Sequence, residues 1–168
     1  MATDTLIRPV RRDEALAVAR VHVQADRETY APIFAAQFRE VSLEESLARW
    51  ETALTAGHSF LVATDAGAIV GLAHAGEAWM SALYLLASHR RRGIGARLLA
   101  ALCAGVRARG VEEIGFTCVA ANAPALAFYE AMGARQLGRT MIGDGADAWE
   151  EMVLALSTDE RAAAFRRG

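Results

Sequence analysis

The sequence predicts a single domain of the α/β (α+β) class, and three observations carry that reading. The chain has 168 residues, enough for one well-packed domain and short for two. Apolar residues make up 54% and charged residues 23%, a globular balance, with no repeat, low-complexity segment or linker. The periodic segments run strand, helices, antiparallel strands, then strand–helix–strand–helix–strand, the order of a mixed sheet covered by helices. The domain is expected over residues 1–156, with a polar tail, STDERAAAFRRG, over 157–168.

The elements follow in chain order. Leu6 to Val10 reads as a short opening strand. Asp13 stands where it could cap a helical segment from Ala15 to Val23, with Leu16, Ala19 and Val23 at helical spacing, and a looser region is expected from Pro32 to Glu40. Ser42 and Glu45, three apart, form a capping box that opens a helix to about Ala56. Ser59–Thr64 and Ile69–Ala75 are β-rich runs joined through Asp65-Ala66-Gly67-Ala68 as a hairpin. A further strand, Trp79 to Leu86, leads into an arginine-glycine stretch. A helix from about Gly93 to Arg109 then buries Ile94, Leu98, Leu102 and Val106 and turns Arg97 and Arg107 away. Ile114–Val119 is a strand, Pro124 suits the first turn of a helix that Gly133 stops, and Trp149–Leu156 is the last strand.

Composition excludes several classes of function. Eighteen basic residues, all arginine, face twenty acidic ones, a net charge of −2 without the footprint of a nucleic-acid binder. Cys103 and Cys118 have neither CxxC spacing nor a disulfide framework, and read as buried small hydrophobes. His58, His74 and His89 are scattered without metal-ligand spacing, so no metal is expected. The N-terminus lacks a basic segment followed by a long apolar run, and no stretch is apolar enough to span a bilayer. No membrane partner is expected, and the default location is cytoplasmic.

The chemistry concentrates in SHRRRGIGARLLAALCAGVRARG, Ser88 to Gly110. A strand ending near Leu86 and a helix starting near Gly93 place free amides and the positive end of a helix dipole at one spot. Gly93 and Gly95 carry no side chains to keep a pyrophosphate from those amides, and Arg90, Arg91 and Arg92 add positive charge. An isolated GxG more often marks a mere turn beneath solvated arginines. The stretch is neither GxGxxG after an early strand nor GxxxxGK[ST].

The run LYLLASHRRRGIGARLL resembles the acetyl-CoA-binding motif of the GNAT superfamily of N-acetyltransferases: Gln or Arg, two residues, Gly, any residue, then Gly or Ala. Arg90, Gly93 and Gly95 match it. Downstream, VAANAPALAFYEAMGARQLG is similar to the family's strand–Asn–helix–Phe-Tyr–Gly segment, with Asn122, Phe128, Tyr129 and Gly133 in register. IRPVRRDEALAVARVHV and SLEESLARW resemble family openings, so the likeness covers nearly the whole chain.

The resemblance implies a mixed, mostly antiparallel sheet with helices on both faces, opened by a V-shaped splay between two central parallel strands, here Trp79–Leu86 and Glu113–Val119. Pantetheine would lie in the splay against the backbone of Leu85, Leu86 and Ala87. Amides from Arg91 through Arg92, Gly93, Ile94 and Gly95 to Ala96 would hold the pyrophosphate, with Arg90 at the head of the motif, and Asn122 would contact the pantetheine arm. Tyr129 would be the general acid: an amine attacks the thioester carbonyl, and a phenol near the sulfur can protonate the departing thiolate. Asn122 and Tyr129, seven residues apart, can face one groove. Read without the upstream motif, Tyr129 is a core aromatic and Asn122 a helix cap.

The chain also departs from the family pattern. Ala87 stands where many relatives have proline, Trp79 where they place a glutamate that deprotonates the incoming amine, and Asp26 where close relatives have a tryptophan. Glu77, two residues before Trp79 and on its face if the strand is regular, is the candidate base, with a solvated hairpin residue as the other reading. His22, Glu28 and Tyr30, on the acceptor side, read as structural.

The expected function is transfer of acetyl from acetyl-CoA, as co-substrate, to a primary amine: a small-molecule amine or a protein N-terminus. The first alternative is a non-catalytic acyl-CoA-binding or sensory module. The second, nucleic-acid binding through Arg90 to Arg92, fits poorly with the net charge. A homodimer is left open.

Overall fold

Two sheets that meet at a single point form the frame of the computed structural model, which describes residues 5–159. The first sheet has the order β1 (Leu6–Pro9), β2 (Ser59–Asp65), β3 (Ala68–Ala75) and β4 (Met80–Leu85), all antiparallel. The second has the order β5 (Glu113–Val119), β7 (Trp149–Ser157) and β6 (Arg135–Ile142), also antiparallel. The two are joined by one parallel bridge between Trp79 and Gly115, with the Gly115 amide donating to the Ala78 carbonyl at 2.9 Å. Beyond that bridge β4 and β5 diverge, which is the predicted V-shaped splay.

Helices cover both faces. α1 (Ala15–Phe34) and α2 (Leu43–Thr55) lie on one face, over a core of Val18, Trp50, Phe60, Val62, Leu72 and Ala82. The other core, built on Ala63, Ala73, Leu98, Leu102, Ile114 and Phe116, holds α3 (Ile94–Arg107) and reaches Tyr129 on α4 (Ala123–Ala131). Val62 and Ala63, like Leu72 and Ala73, fall into opposite cores because neighbouring residues of a strand face opposite ways.

Local signals set most boundaries. Ser42 accepts from the Glu45 amide at 3.1 Å while the Glu45 carboxylate accepts from the Ser42 amide at 2.9 Å, closing the capping box. Ala66 (φ 49°) and Gly67 (φ 83°) form the two-residue turn between β2 and β3, both in the left-handed region that such a turn requires. Gly133, at φ 94°, follows the end of α4, and the buried stripe of α3 includes Ile94, Leu98, Leu102 and Val106.

Four expectations need correction. α1 does not loosen at Pro32 but runs to Phe34. A proline near the last turn leaves only the Glu28 carbonyl without its helical donor, and Ala35, at φ 49°, ends the helix. Leu16 is 43% exposed, and the buried face runs through Ala15, Val18, Ala19, His22 and Ala25. That face is made of small residues and a histidine, so hydropathy hides it. Asp13 does not cap α1: the carboxylate of Glu14 accepts from the Arg11 amide at 2.8 Å, within a 3₁₀ turn over Arg12–Glu14 that leads into the helix. β6 has no predicted counterpart. It is the edge of its sheet and nearly all exposed, so no apolar alternation announces it.

The expected boundary at residue 156 also shifts. β7 continues to Ser157, and Thr158 is buried, its hydroxyl donating to the Val111 carbonyl at 2.8 Å. The rest of the expected tail, 160–168, lies outside the described residues.

Candidate active site

The splay holds a cavity of about 460 Å³. Its walls come from β4 (Leu83, Tyr84, Leu85), β5 (Thr117, Cys118), the turn before α3 with the start of that helix, and α4. At one end lie Gly93, Gly95 and Ala96. Among the described residues the amides of Arg91, Arg92, Gly93, Ile94, Gly95 and Ala96 donate to no acceptor, and the first helical bond of α3 is made by Arg97 to the Gly93 carbonyl at 3.1 Å. Such a run of free donors at a helix start suits an anion. Gly93 takes φ +76°, and a β-carbon there would meet nothing within 4 Å. At Gly95 a β-carbon would touch only the Phe128 ring, at 3.7 Å, so the approach to the amides is open.

Arg90 is built into the frame. Its Nε donates to the Leu85 carbonyl at 3.0 Å and its guanidinium to the Thr29 hydroxyl at 3.0 Å, tying β4 to α1. The Glu28 carboxylate accepts from the Ala87 amide at 2.7 Å. Burial disfavours its charge, but that amide, Gln24 and nearby Arg90 hold its carboxyl below the usual value. The turn that carries the free amides is therefore pinned to α1 at two points. Arg91, at φ 62°, occupies the left-handed region rarely used outside glycine, as part of the same turn.

Of the residues expected to line the cofactor site, Leu85, Arg90, Arg91, Gly93, Gly95, Ala96, Asn122 and Tyr129 border this cavity. Four do not. The Leu86 amide donates to the Val70 carbonyl at 3.0 Å, the Ala87 amide is taken by Glu28, the Ile94 side chain is in the core, and Arg92 is exposed outside the lining. Leu86 donates toward β3, so strand alternation turns the backbone of Leu85 and Leu83 to the open edge of β4. The backbone edge turned to the splay is thus Leu83 with the Leu85 amide, since the Leu85 carbonyl is held by Arg90 and the Leu86 and Ala87 amides are taken elsewhere.

Asn122 is both cap and wall. Its Oδ1 accepts from the Ala125 amide at 3.3 Å at the start of α4, and the residue borders the cavity. Tyr129 is buried against Phe116 (ring centroids 4.6 Å apart) and Phe128 (5.2 Å), yet its hydroxyl bonds no described residue and it borders the cavity. Burial, with Cys118 and Tyr30 nearby, pushes the phenol up, so it stays protonated at neutral pH. Burial likewise pushes the Cys118 thiol up to about 11, which leaves it unreactive as a thiolate.

Glu77 is not brought to the site. β4 begins at Met80, so no regular strand carries Glu77 to the face of the splay. It sits exposed in the bend between β3 and β4, outside the lining of the cavity. Trp79 closes the narrow end of the V instead.

A second cavity, of about 430 Å³, lies on the other side of Tyr30 and Tyr84, which border both. It is walled by Asp26, Phe34, Phe38, Trp149 and Glu151, among others. Tyr30 lies where the two spaces meet, its phenol pushed up to about 12 by burial and then by the charges of Cys118, Asp26 and Glu151. Sequence patterns put Tyr30 on the acceptor side only as a structural residue and did not single out Tyr84, because a tyrosine at a helical or strand core position looks the same whether or not a cavity lies beyond it. His22, by contrast, is structural as expected: it is buried, bonded to the Ser46 hydroxyl at 2.8 Å, and held down to about 4 by burial.

The family model of the acetyltransferase (GNAT) family matches residues 24–134, from α1 through the end of α4. The chain belongs to the GNAT acetyltransferase family. Its fold is likewise that of solved family members. An N-acetyltransferase from Staphylococcus aureus superposes with a TM-score of 0.75 at 20% identity, over 94% of this chain and 100% of that one. A ribosomal-protein-alanine N-acetyltransferase from Brucella melitensis gives 0.74 at 24% identity, over 90% and 99%. A GNAT superfamily phosphinothricin acetyltransferase from Sinorhizobium meliloti, in complex with AcCoA, gives 0.73 at 20% identity, over 91% and 88%. No curated protein matches the chain. Among the described residues no helix is long and apolar enough to cross a membrane, and no cluster of three His, Cys, Asp or Glu side chains could hold a metal.

Proposed function

We propose that this GNAT acetyltransferase moves an acetyl group from acetyl-CoA directly to a primary amine, with the cofactor in the larger cavity and the acceptor in the smaller. The observation that carries this reading is the splay cavity ending at the start of α3, where Arg91, Gly93, Gly95 and Ala96 line it and their amides bond no described residue, open at Gly93 and Gly95 and flanked by Arg90. A pyrophosphate suits that end. An extended arm suits the open backbone edge at Leu83 and the Leu85 amide, beside Asn122.

The catalytic division follows from the same walls. Tyr129 borders the larger cavity with a protonated hydroxyl that bonds no described residue, so it can give a proton to a departing thiolate. Tyr30 and Tyr84 separate the cavities, so an amine entering the smaller one approaches the splay beside them. Direct transfer needs no protein nucleophile, and the raised Cys118 thiol is poorly suited to be one. The folded unit spans the described residues as one acetyltransferase domain.

The test combines calorimetry with CoA and thiol release from acetyl-CoA over a panel of small amines and N-terminal peptides. Binding and turnover are expected. No affinity for CoA would overturn the cofactor assignment, and binding without turnover of any amine would make the protein an acyl-CoA-binding module.

A further inference from the structure

The smaller cavity carries a charge pattern with a specific consequence. Asp26 projects from α1 into its wall, part-buried. Its one hydrogen bond among the described residues is a long one, 3.4 Å, from the hydroxyl of Tyr84 on β4. Among the described residues no arginine forms an ion pair with it. Arg49 of α2, which acts on it from a distance, is engaged elsewhere, donating to the Ser81 carbonyl at 2.9 Å and lying 4.6 Å over the Trp50 ring. Arg27 is paired with Glu40 at 3.3 Å. The other ionisable groups around the cavity are Tyr30 on α1, Arg39 beyond it, and Asp147 and Glu151 on the opposite side. Burial raises the carboxyl of Asp26 above its ordinary value, which makes it a better proton acceptor than a solvated aspartate.

A part-buried carboxylate without a cationic partner is unfavourable until a cation arrives. The neighbouring walls are aromatic: Phe34 and Trp149 pack edge to face at 5.7 Å, and the Tyr30 ring lies tilted by 33° to Phe34 with centroids 6.0 Å apart. Aromatic faces beside a carboxylate suit an ammonium ion attached to an apolar, flat group. An acceptor with a carboxylate of its own would find one guanidinium, Arg39, against three carboxylates, Asp26, Asp147 and Glu151.

We propose that Asp26 receives the ammonium group of the acceptor and takes its proton, and that the acceptor is a cationic arylalkylamine. The proposal rests on the assignment of the larger cavity to acetyl-CoA. One N–H proton passes to the Asp26 carboxylate, and the freed lone pair forms the N–C bond to the thioester carbonyl. The C–S bond then breaks. The thiolate takes a proton from the Tyr129 phenol, which regains one as the nitrogen releases its second, and Asp26 returns its proton to water. The net products are the acetamide, CoA thiol and one proton. Tyr84, bonded to Asp26 and bordering both cavities, positions that carboxylate beside the wall the two cavities share.

The experiment uses the full chain with 2-phenylethylamine and L-glutamate as probes. It measures CoA binding by calorimetry, amine binding to the CoA-loaded protein, and thiol release from pH 6 to 10. The parent should prefer 2-phenylethylamine to glutamate in kcat/KM by more than about tenfold, the value of one well-placed charge. Asp26→Asn should lose about 10²-fold at pH 7 and much less near pH 10, where the amine is already neutral. Its CoA affinity and melting temperature should match the parent's. Asp26→Ser must show the same pH-dependent deficit, and Asp26→Glu should recover part of the rate. A parent-like pH profile in Asp26→Asn overturns the proposal, as does a CoA-binding parent that neither binds nor acetylates 2-phenylethylamine. A parent that binds no CoA overturns the acetyl-CoA assignment and this proposal with it.

Discussion

The Trp79 indole occupies the space that a side chain on Gly115 would need: a β-carbon there would lie 2.8 and 2.9 Å from two atoms of the ring. This contact sits on the single bridge between the sheets, at the narrow end of the splay. Gly115→Ala must displace a ring or shift β5, so it should lower unfolding stability by about 1–3 kcal/mol in urea titrations. In a Trp79→Ala background the same change should cost much less, because the obstructing ring is gone. Additive losses would mean that Gly115 matters for another reason.

The anion cradle predicts an order among three substitutions. Gly95→Val places a branched side chain on the path to the free amides without a backbone penalty, since Gly95 has no positive φ. Gly93→Val must adopt φ near +76°, which costs about 1–2 kcal/mol before any ligand is considered. Arg91→Ala removes one exposed charge of several. CoA affinity by calorimetry should fall more than about tenfold for Gly95→Val and least for Arg91→Ala. A drop in melting temperature should accompany Gly93→Val alone.

Tyr129→Phe keeps the ring against Phe116 and Phe128 and removes only the hydroxyl, which bonds no described residue. CoA affinity and melting temperature should stay at the parent's level. With an amine substrate kcat should fall by about 10-fold to 10²-fold, the lower range of general acid catalysis, since CoA is a tolerable leaving group. An unchanged kcat would remove Tyr129 from the chemistry.

Acid stability should depend on Glu14. Its carboxylate accepts from both terminal nitrogens of Arg8, at 2.8 and 2.6 Å, and from the Arg11 amide at 2.8 Å. The Arg8 guanidinium holds the carboxyl down, from 4.5 to about 2. A carboxyl with a depressed folded-state value stabilises fully above its unfolded value and loses that contribution as pH falls through the folded one. Stability should therefore decline between about pH 4.5 and 2. Glu14→Gln should be less stable near neutral pH and flatter across that window in pH-dependent urea unfolding.

Much of this protein is determined locally by its sequence. The Ser42–Glu45 capping box, the Ala66-Gly67 turn and the buried stripe of α3 need only neighbours within a few residues, so their residue types announce them. The motif through Arg90, Gly93 and Gly95 is of the same kind, because a helix start with free amides is assembled within one short segment. What depended on distant segments was hidden. β6 exists through its pairing to β7, α1 extends past Pro32 because a late proline forfeits only one bond, and Glu77 falls outside the site because β4 starts three residues later. Only the tertiary structure decided that Leu83 rather than Leu86 turns its backbone to the splay, and that Asp26, Tyr30 and Tyr84, from two elements, share one wall. Their meeting depends on how α1 packs across β4, and no spacing along the chain encodes that distance.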